Sequence, residues 1–256
     1  MVSKPEDLVQ TIAGEGVRDP RLLEAVRTVP RAGFVPASLA WQAYEDRPLP
    51  IPHGQVTTQP SLVARMVEAL ELAGSERVLE VGAGYAWQTA LLARLCAFVW
   101  AVERFGDVAQ TARKNLARSG VTNAEVVTVD GREGLPKHAP YDAILVAAAF
   151  PSVPRPLVEQ LAAGGRLVQP VGPGGREEVV LFKNSTRGFV RRRTIAWACF
   201  VRLHGAHAFP GVAGFRGHHA KRSSPLLDPS NLWLFLSLQG FARRRVSNPC
   251  VAPSTS

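Results

Sequence analysis

The chain has 256 residues, 46% of them hydrophobic and 20% charged, with a formal net charge of +9. This is long enough for one α/β domain with a full core plus an appendage, and the composition is ordinary for a soluble globular protein. The charge is uneven: six Lys/Arg and one Asp fall in residues 210–256, so the first 209 residues carry only +4 and a nucleic-acid-binding role is disfavoured.

Residues 5–29 carry a helical pattern. Pro20 stands where a second helix would start, with Leu22, Leu23, Val26 and Val29 on its apolar face. The stretches 29–36 and 43–51 are broken by prolines, which favour extended backbone and turns over long helices. Residues 53–60 read as a polar loop, from which Pro60 opens a helix over about 61–72. Strands then alternate with helices, as a parallel sheet requires. Strands are expected at 77–82, 98–103, 125–129, 142–148 and 166–171. Helices are expected at 87–96, at 108–119 with Gly120 as its stop, and at 154–162 with Gly164-Gly165 as its stop. After the glycine turn 172–175, two further strands are expected at 177–183 and 189–203. Residues 210–230 are rich in Gly, His, Pro and Ser and read as loose, while Leu232–Leu236 reads as a short docking element. The predicted fold is thus α/β, a doubly wound, mostly parallel seven-stranded sheet. Its domain spans 1–209 (a helical and extended part over 1–60, a sheet part over 61–209), with a basic, partly disordered extension over 210–256. Three cysteines, odd in number and far apart, argue against a disulfide or metal framework and for a reducing cytoplasm. No apolar run has membrane-span length, and no secretory signal opens the chain.

The first strand of the sheet runs into Gly82-Ala-Gly84. Glycine there lets the backbone approach a ligand closely, at the carboxyl end of a strand, where open α/β sheets bind ligands. Glu103 ends the next strand, where a carboxylate accepts hydrogen bonds from both hydroxyls of a ribose. Together these features indicate a nucleoside cofactor. The dinucleotide fingerprint lacks its third glycine, because position 87 is Trp, and no phosphate loop of the G-x-x-x-x-G-K type is present. A nicotinamide oxidoreductase is therefore disfavoured.

The E-x-G-x-G run from Glu80 to Gly84 resembles the first motif of class I S-adenosylmethionine methyltransferases. The longer pattern is more specific. V-P-R-x-x-F-V-P at 29–36, A-Y-E-D-R-x-L-P-I at 43–51 and H-G-Q-x-x-x-Q-P at 53–60 precede it. V-E-R at 102–104, D-G at 130–131, P-Y-D-A-I-x-V-x-A-A at 140–149 and L-x-x-G-G-R-L-V-x-P-V-G at 161–172 follow it. In this order, over roughly residues 8–204, the chain resembles the protein-L-isoaspartate (D-aspartate) O-methyltransferase family.

The resemblance implies methyl transfer from S-adenosylmethionine to the α-carboxylate of L-isoaspartyl and D-aspartyl residues in damaged proteins. The methyl ester is then displaced by the next backbone nitrogen, and the resulting succinimide hydrolyses partly to normal Asp. A carboxylate with a reference pKa of about 4 is already ionised at pH 7, so no general base is required. The resemblance also implies a cofactor site of Glu80, Gly82, Gly84, Glu103, Asp130 and Gly131, with Glu103 on the ribose and Asp130 on the adenine amine. The family's catalytic serine sits in a Thr-Ile-Ser-Gln-Pro loop. Here Thr58 occupies that position, flanked by Thr57 and Gln59 on the substrate side. Ala148 and Ala149 would line the acceptor channel, no metal is needed, and the protein would act as a cytoplasmic monomer. Ala86 stands where the family often has glycine, and His53 reads as structural. The family exchanges its last two strands relative to other class I methyltransferases, and the same is expected here. A related carboxylate methyltransferase for another peptide acceptor, or a binding protein that has lost catalysis, are the alternatives.

Overall fold

Proline opens the first three helices at the one turn where its missing N–H costs nothing. They are α1 (Pro5–Gly14), α2 (Pro20–Thr28) and α3 (Pro60–Glu68). Asp19 caps α2 by accepting the Arg21 N–H at 2.8 Å. The inward residues of each helix follow the 3.6-residue period: Leu8, Val9 and Ile12, then Leu22, Ala25 and Val26, then Leu62, Val63, Met66 and Val67. The computed structural model describes residues 4–173, 175–186 and 188–201. The predicted extension 210–256, with its loose stretch and docking element, lies outside the described residues, as do the last residues of the final predicted strand.

A small antiparallel hairpin, β1 (Leu49–Ile51) and β2 (Gln55–Thr57), precedes α3. The loop predicted over 53–60 therefore contains a strand, over residues 55–57. Its turn is made by His53 and Gly54, both at positive φ (62° and 64°). Then come β3 (Arg77–Val81), α4 (Trp87–Ala93), β4 (Phe98–Glu103), α5 (Gly106–Arg118), β5 (Ala124–Thr128), β6 (Tyr141–Val146), α6 (Arg155–Glu159), β7 (Leu161–Val171), β8 (Glu177–Ser185) and β9 (Gly188–Ala198).

The seven-stranded sheet has the order β5-β4-β3-β6-β7-β8-β9. The first five strands in that order pair in parallel, and β8 and β9 pair antiparallel. The last two strands thus follow one another in sequence order at the sheet edge, as the resemblance predicts. Parallel strands are buried on both faces, and the residues alternate accordingly. Val78, Val99, Ala143 and Leu145 face α1–α5, whereas Leu79, Val81, Ile144 and Val146 pack on the opposite side with Phe150 and Leu157. The helix predicted over 154–162 is shorter than expected, because Leu161 already pairs with Tyr141 as β7 begins. Gly164-Gly165 lies inside that strand at a register shift, with Gly164 at φ 79°. No helix among the described residues is long and apolar enough to cross a membrane.

Candidate active site

The chain leaves β3 for β4 and β5 on one side, then returns to β6 on the other side of β3. The carboxyl ends of β3 and β6 therefore border a topological switch point, where ligands bind in open α/β sheets. A cavity of about 310 Å³ opens there. Small-molecule sites begin at about this volume.

The floor is the turn after β3. Gly82 (φ 92°) and Gly84 (φ 53°) take left-handed conformations that glycine adopts without strain. The N–H groups of Gly82 and Ala83 both donate to the Val102 carbonyl, at 2.9 and 3.1 Å, which ties the turn to the end of β4. Ala86, at φ 70° and ψ 24°, is also left-handed although it carries a Cβ. Trp87 packs inward, with its indole N–H donating to the Val29 carbonyl at 3.3 Å.

Glu103 ends β4 and is largely buried. One carboxylate oxygen accepts the Gly84 N–H at 2.9 Å and the other accepts the Phe105 N–H at 3.0 Å. An ionised carboxylate offers about four acceptor positions, so each oxygen keeps one for a ligand hydroxyl. Asp130, just past β5, caps the following turn by accepting the Arg132 N–H at 3.2 Å, and pairs with the Arg132 guanidinium at 2.7 Å. Burial works to raise its pKa, but the hydrogen bonds and charge of Arg132 outweigh it and leave the carboxyl below its ordinary range. Gly131 is pressed against the sheet. A Cβ there would lie 2.6 Å from Cγ1 of Val81 and 3.0 Å from Cγ2 of Val102.

On the opposite wall the hairpin and the start of α3 bring in Thr57 and Thr58. Their hydroxyls have different surroundings. Thr57 Oγ1 accepts from the Arg31 guanidinium at 2.9 Å and from the Leu49 N–H at 3.2 Å. Thr58 also lines the cavity, and its hydroxyl has no hydrogen-bond partner among the described residues. Ala147 and Ala148, after β6, complete this end, and Ala147 Cβ lies 3.6 Å from where a Gly82 Cβ would be.

Of the residues singled out from sequence, Thr57, Thr58, Gly82, Gly84, Glu103, Asp130, Gly131 and Ala148 line one cavity. Glu80, Gln59 and Ala149 do not. Glu80 is fully buried beneath α4, where its carboxylate accepts from Gln88 Nε2 at 2.8 Å and Thr89 Oγ1 at 2.5 Å. Burial pushes its pKa up to about 7, against those two hydrogen bonds and with help from the charge of Glu103. The Gln59 amide donates to Asp46 at 2.8 Å, and the Ala149 N–H donates to the Val201 carbonyl at 2.9 Å. Sequence pattern assigns no site role to His53 or Phe105. Both line the cavity, their rings stack at 4.2 Å, and His53 Nε2 lies 2.9 Å from Asp107. This contact joins the β1–β2 hairpin to the segment that follows Glu103. The cue in the sequence was an aromatic two residues past the strand-end acid.

A family model described as protein-L-isoaspartate(D-aspartate) O-methyltransferase matches residues 3–208. The chain belongs to this family. Curated members from Methanoculleus marisnigri and Myxococcus xanthus are 50% and 48% identical to it. The first alignment covers 80% of this chain and 94% of the relative, the second 69% and 84%. A solved protein-L-isoaspartate O-methyltransferase superposes with a TM-score of 0.69 at 28% identity, over 80% of this chain and 67% of the other. A Plasmodium falciparum structure in complex with S-adenosyl-L-homocysteine has a TM-score of 0.68 over 79% of this chain and 99% of that one. At 22% identity it bears on the fold alone.

The enzyme is a methyltransferase that uses S-adenosylmethionine, and the residues present fit that group. Two left-handed glycines open the floor, the strand-end carboxylate of Glu103 keeps acceptor positions, and Gly131 sits where any side chain would collide with the sheet.

Proposed function

We propose that the enzyme methylates the α-carboxylate of L-isoaspartyl and D-aspartyl residues, with Thr58 as the catalytic residue of the acceptor end. The reading rests on one observation: Thr58, whose hydroxyl has no hydrogen-bond partner among the described residues, lines the cavity shared by Gly82, Gly84 and Glu103. When bound, S-adenosylmethionine supplies an electrophilic sulfonium methyl. Gly82 and Gly84 hold its amino-acid end, Glu103 takes the ribose hydroxyls, and Asp130 with Gly131 meets the adenine. Glu80 supports this loop from beneath α4 rather than touching the cofactor.

The acceptor carboxylate arrives ionised, so the chain's own task is alignment and exclusion of water. Thr58 donates a hydrogen bond to that carboxylate. Ala147 and Ala148 keep the channel wall thin enough for a kinked backbone. Thr57 and Gln59 shape the loop through Arg31 and Asp46. The domain spans 1–209, and the enzyme works as a cytoplasmic monomer on isoaspartyl-bearing proteins or peptides, without nucleic acid.

The test is transfer of labelled methyl to an isoaspartyl peptide, with its normal Asp isomer as control. Base-labile ester on the isoaspartyl peptide alone supports the reading. Transfer to the Asp isomer instead, or to neither while S-adenosylhomocysteine still binds, overturns it.

A further inference from the structure

Arg31 is 1% exposed, and no carboxylate touches its guanidinium among the described residues. Backbone carbonyls surround it instead. Nη1 donates to the Ala43 carbonyl at 2.9 Å and to that of Glu45 at 3.2 Å. Nη2 reaches the Arg47 carbonyl at 3.2 Å, the Thr57 hydroxyl at 2.9 Å and the Thr58 carbonyl at 3.4 Å. The group also stands 5.5 Å over the Trp87 ring. Burial pushes its pKa down to about 10, with the charge of Asp46 working the other way. A buried cation is costly to maintain, and this one bridges two separate segments, 43–47 and 57–58.

The other side of Thr58 is fixed from the first of those segments. Asp46 accepts the Ser61 N–H and the Gln59 amide, both at 2.8 Å. Thr58 is thus bracketed by Arg31 before it and Asp46 after it, and its hydroxyl has no hydrogen-bond partner among the described residues. The arginine fork matters here because it spans several acceptors in one plane, which an ammonium does not.

We propose that Arg31 is a positioning residue for methyl transfer, which acts by holding the Thr57 hydroxyl and the Thr58 carbonyl so that the Thr58 hydroxyl is aimed at the acceptor carboxylate. This deepens the proposed function and rests on it. Arg31 does not line the cavity, so its effect appears in turnover, not in cofactor affinity.

The probe is Thr57→Val, which keeps the shape of the side chain and removes the oxygen that Arg31 holds. Thr57→Ser and Arg31→Lys accompany it. Each variant is assayed for kcat and KM with an isoaspartyl peptide and for S-adenosylhomocysteine affinity by calorimetry. In Thr57→Val, kcat falls about 10- to 100-fold, the cost of a small misplacement of a reacting group, while S-adenosylhomocysteine affinity is unchanged. Thr57→Ser restores turnover, and Arg31→Lys, which keeps the charge and loses the fork, follows Thr57→Val. Wild-type kcat in Thr57→Val overturns the proposal. So does an equal loss in Thr57→Ser, or a loss matched by weaker S-adenosylhomocysteine binding. A wild-type enzyme that binds S-adenosylhomocysteine but leaves the isoaspartyl peptide unmethylated overturns the proposed function and this inference together. An active wild type beside an unaffected Thr57→Val overturns this inference only.

Discussion

Replacing Glu80 with glutamine should stabilise the protein above neutral pH and do little in acid. Glu80 has no exposure to water, and its pKa stands at about 7 against an ordinary 4.5. The folded state therefore holds a proton on Glu80 between roughly pH 4.5 and 7 that the unfolded chain has released. Stability rises with pH where the unfolded state binds more protons, and here the folded state binds more, so stability falls across that window. At about 1.4 kcal/mol per pKa unit, the fall amounts to about 3 kcal/mol by pH 8. The favourable contribution is complete below the unfolded pKa and is gone above the folded one.

Glutamine is neutral at every pH and nearly isosteric. Its carbonyl can accept from Gln88, and its amide can donate to Thr89, whose hydroxyl both donates and accepts. Urea unfolding of wild type and Glu80→Gln at pH 5 and pH 8 isolates the term, because every other titrating group is common to both. The stability difference should move toward the variant by about 2–3 kcal/mol between those pH values. A difference that stays constant over the range would mean that Glu80 ionises normally in the fold, and the burial argument would fail.

Gly131→Ala should cost about 1–3 kcal/mol by overpacking, since its Cβ would meet two β-branched valines with little rotamer freedom. Thermal unfolding reads this loss, and S-adenosylhomocysteine affinity should drop with it, whereas unchanged affinity would detach Gly131 from the site. Glu103→Ala should weaken S-adenosylhomocysteine binding and leave two backbone N–H groups, of Gly84 and Phe105, to find other partners. Thr58→Ala should do the reverse, with lower turnover at unchanged cofactor affinity. Equal effects of these two variants on both readouts would refute the division of roles. His53→Ala should speed S-adenosylhomocysteine release in stopped flow by freeing the hairpin from Phe105, with little loss of stability because the His53–Asp107 contact is exposed.

The sheet was legible because a parallel strand buried on both faces and bounded by glycine has few other readings. Strand β4 ends at Glu103 as expected, and the Gly82-Ala-Gly84 turn lies where the apolar run stops. Errors arose where a local signal had two meanings. Gly164-Gly165 is a common helix stop, yet here it serves a register shift inside β7, which only pairing with β6 reveals. The hairpin strands have three residues each, too few for alternation to register.

The placement of Glu80 follows from strand parity. Leu79 and Val81 share one face of β3, so strand parity alone turns Glu80 to the other face, under α4 and away from the cavity. The two threonines are a different case. Thr57 and Thr58 are chemically identical and adjacent, and nothing local separates them. The side-chain partner that engages Thr57 is Arg31, 26 residues earlier, at the start of the short 3-10 turn Arg31–Phe34 that follows α2. The resemblance marks Thr58 by position in the loop, whereas the hydrogen bond that sets the two hydroxyls apart comes from a buried cation in a separate motif, V-P-R at 29–31.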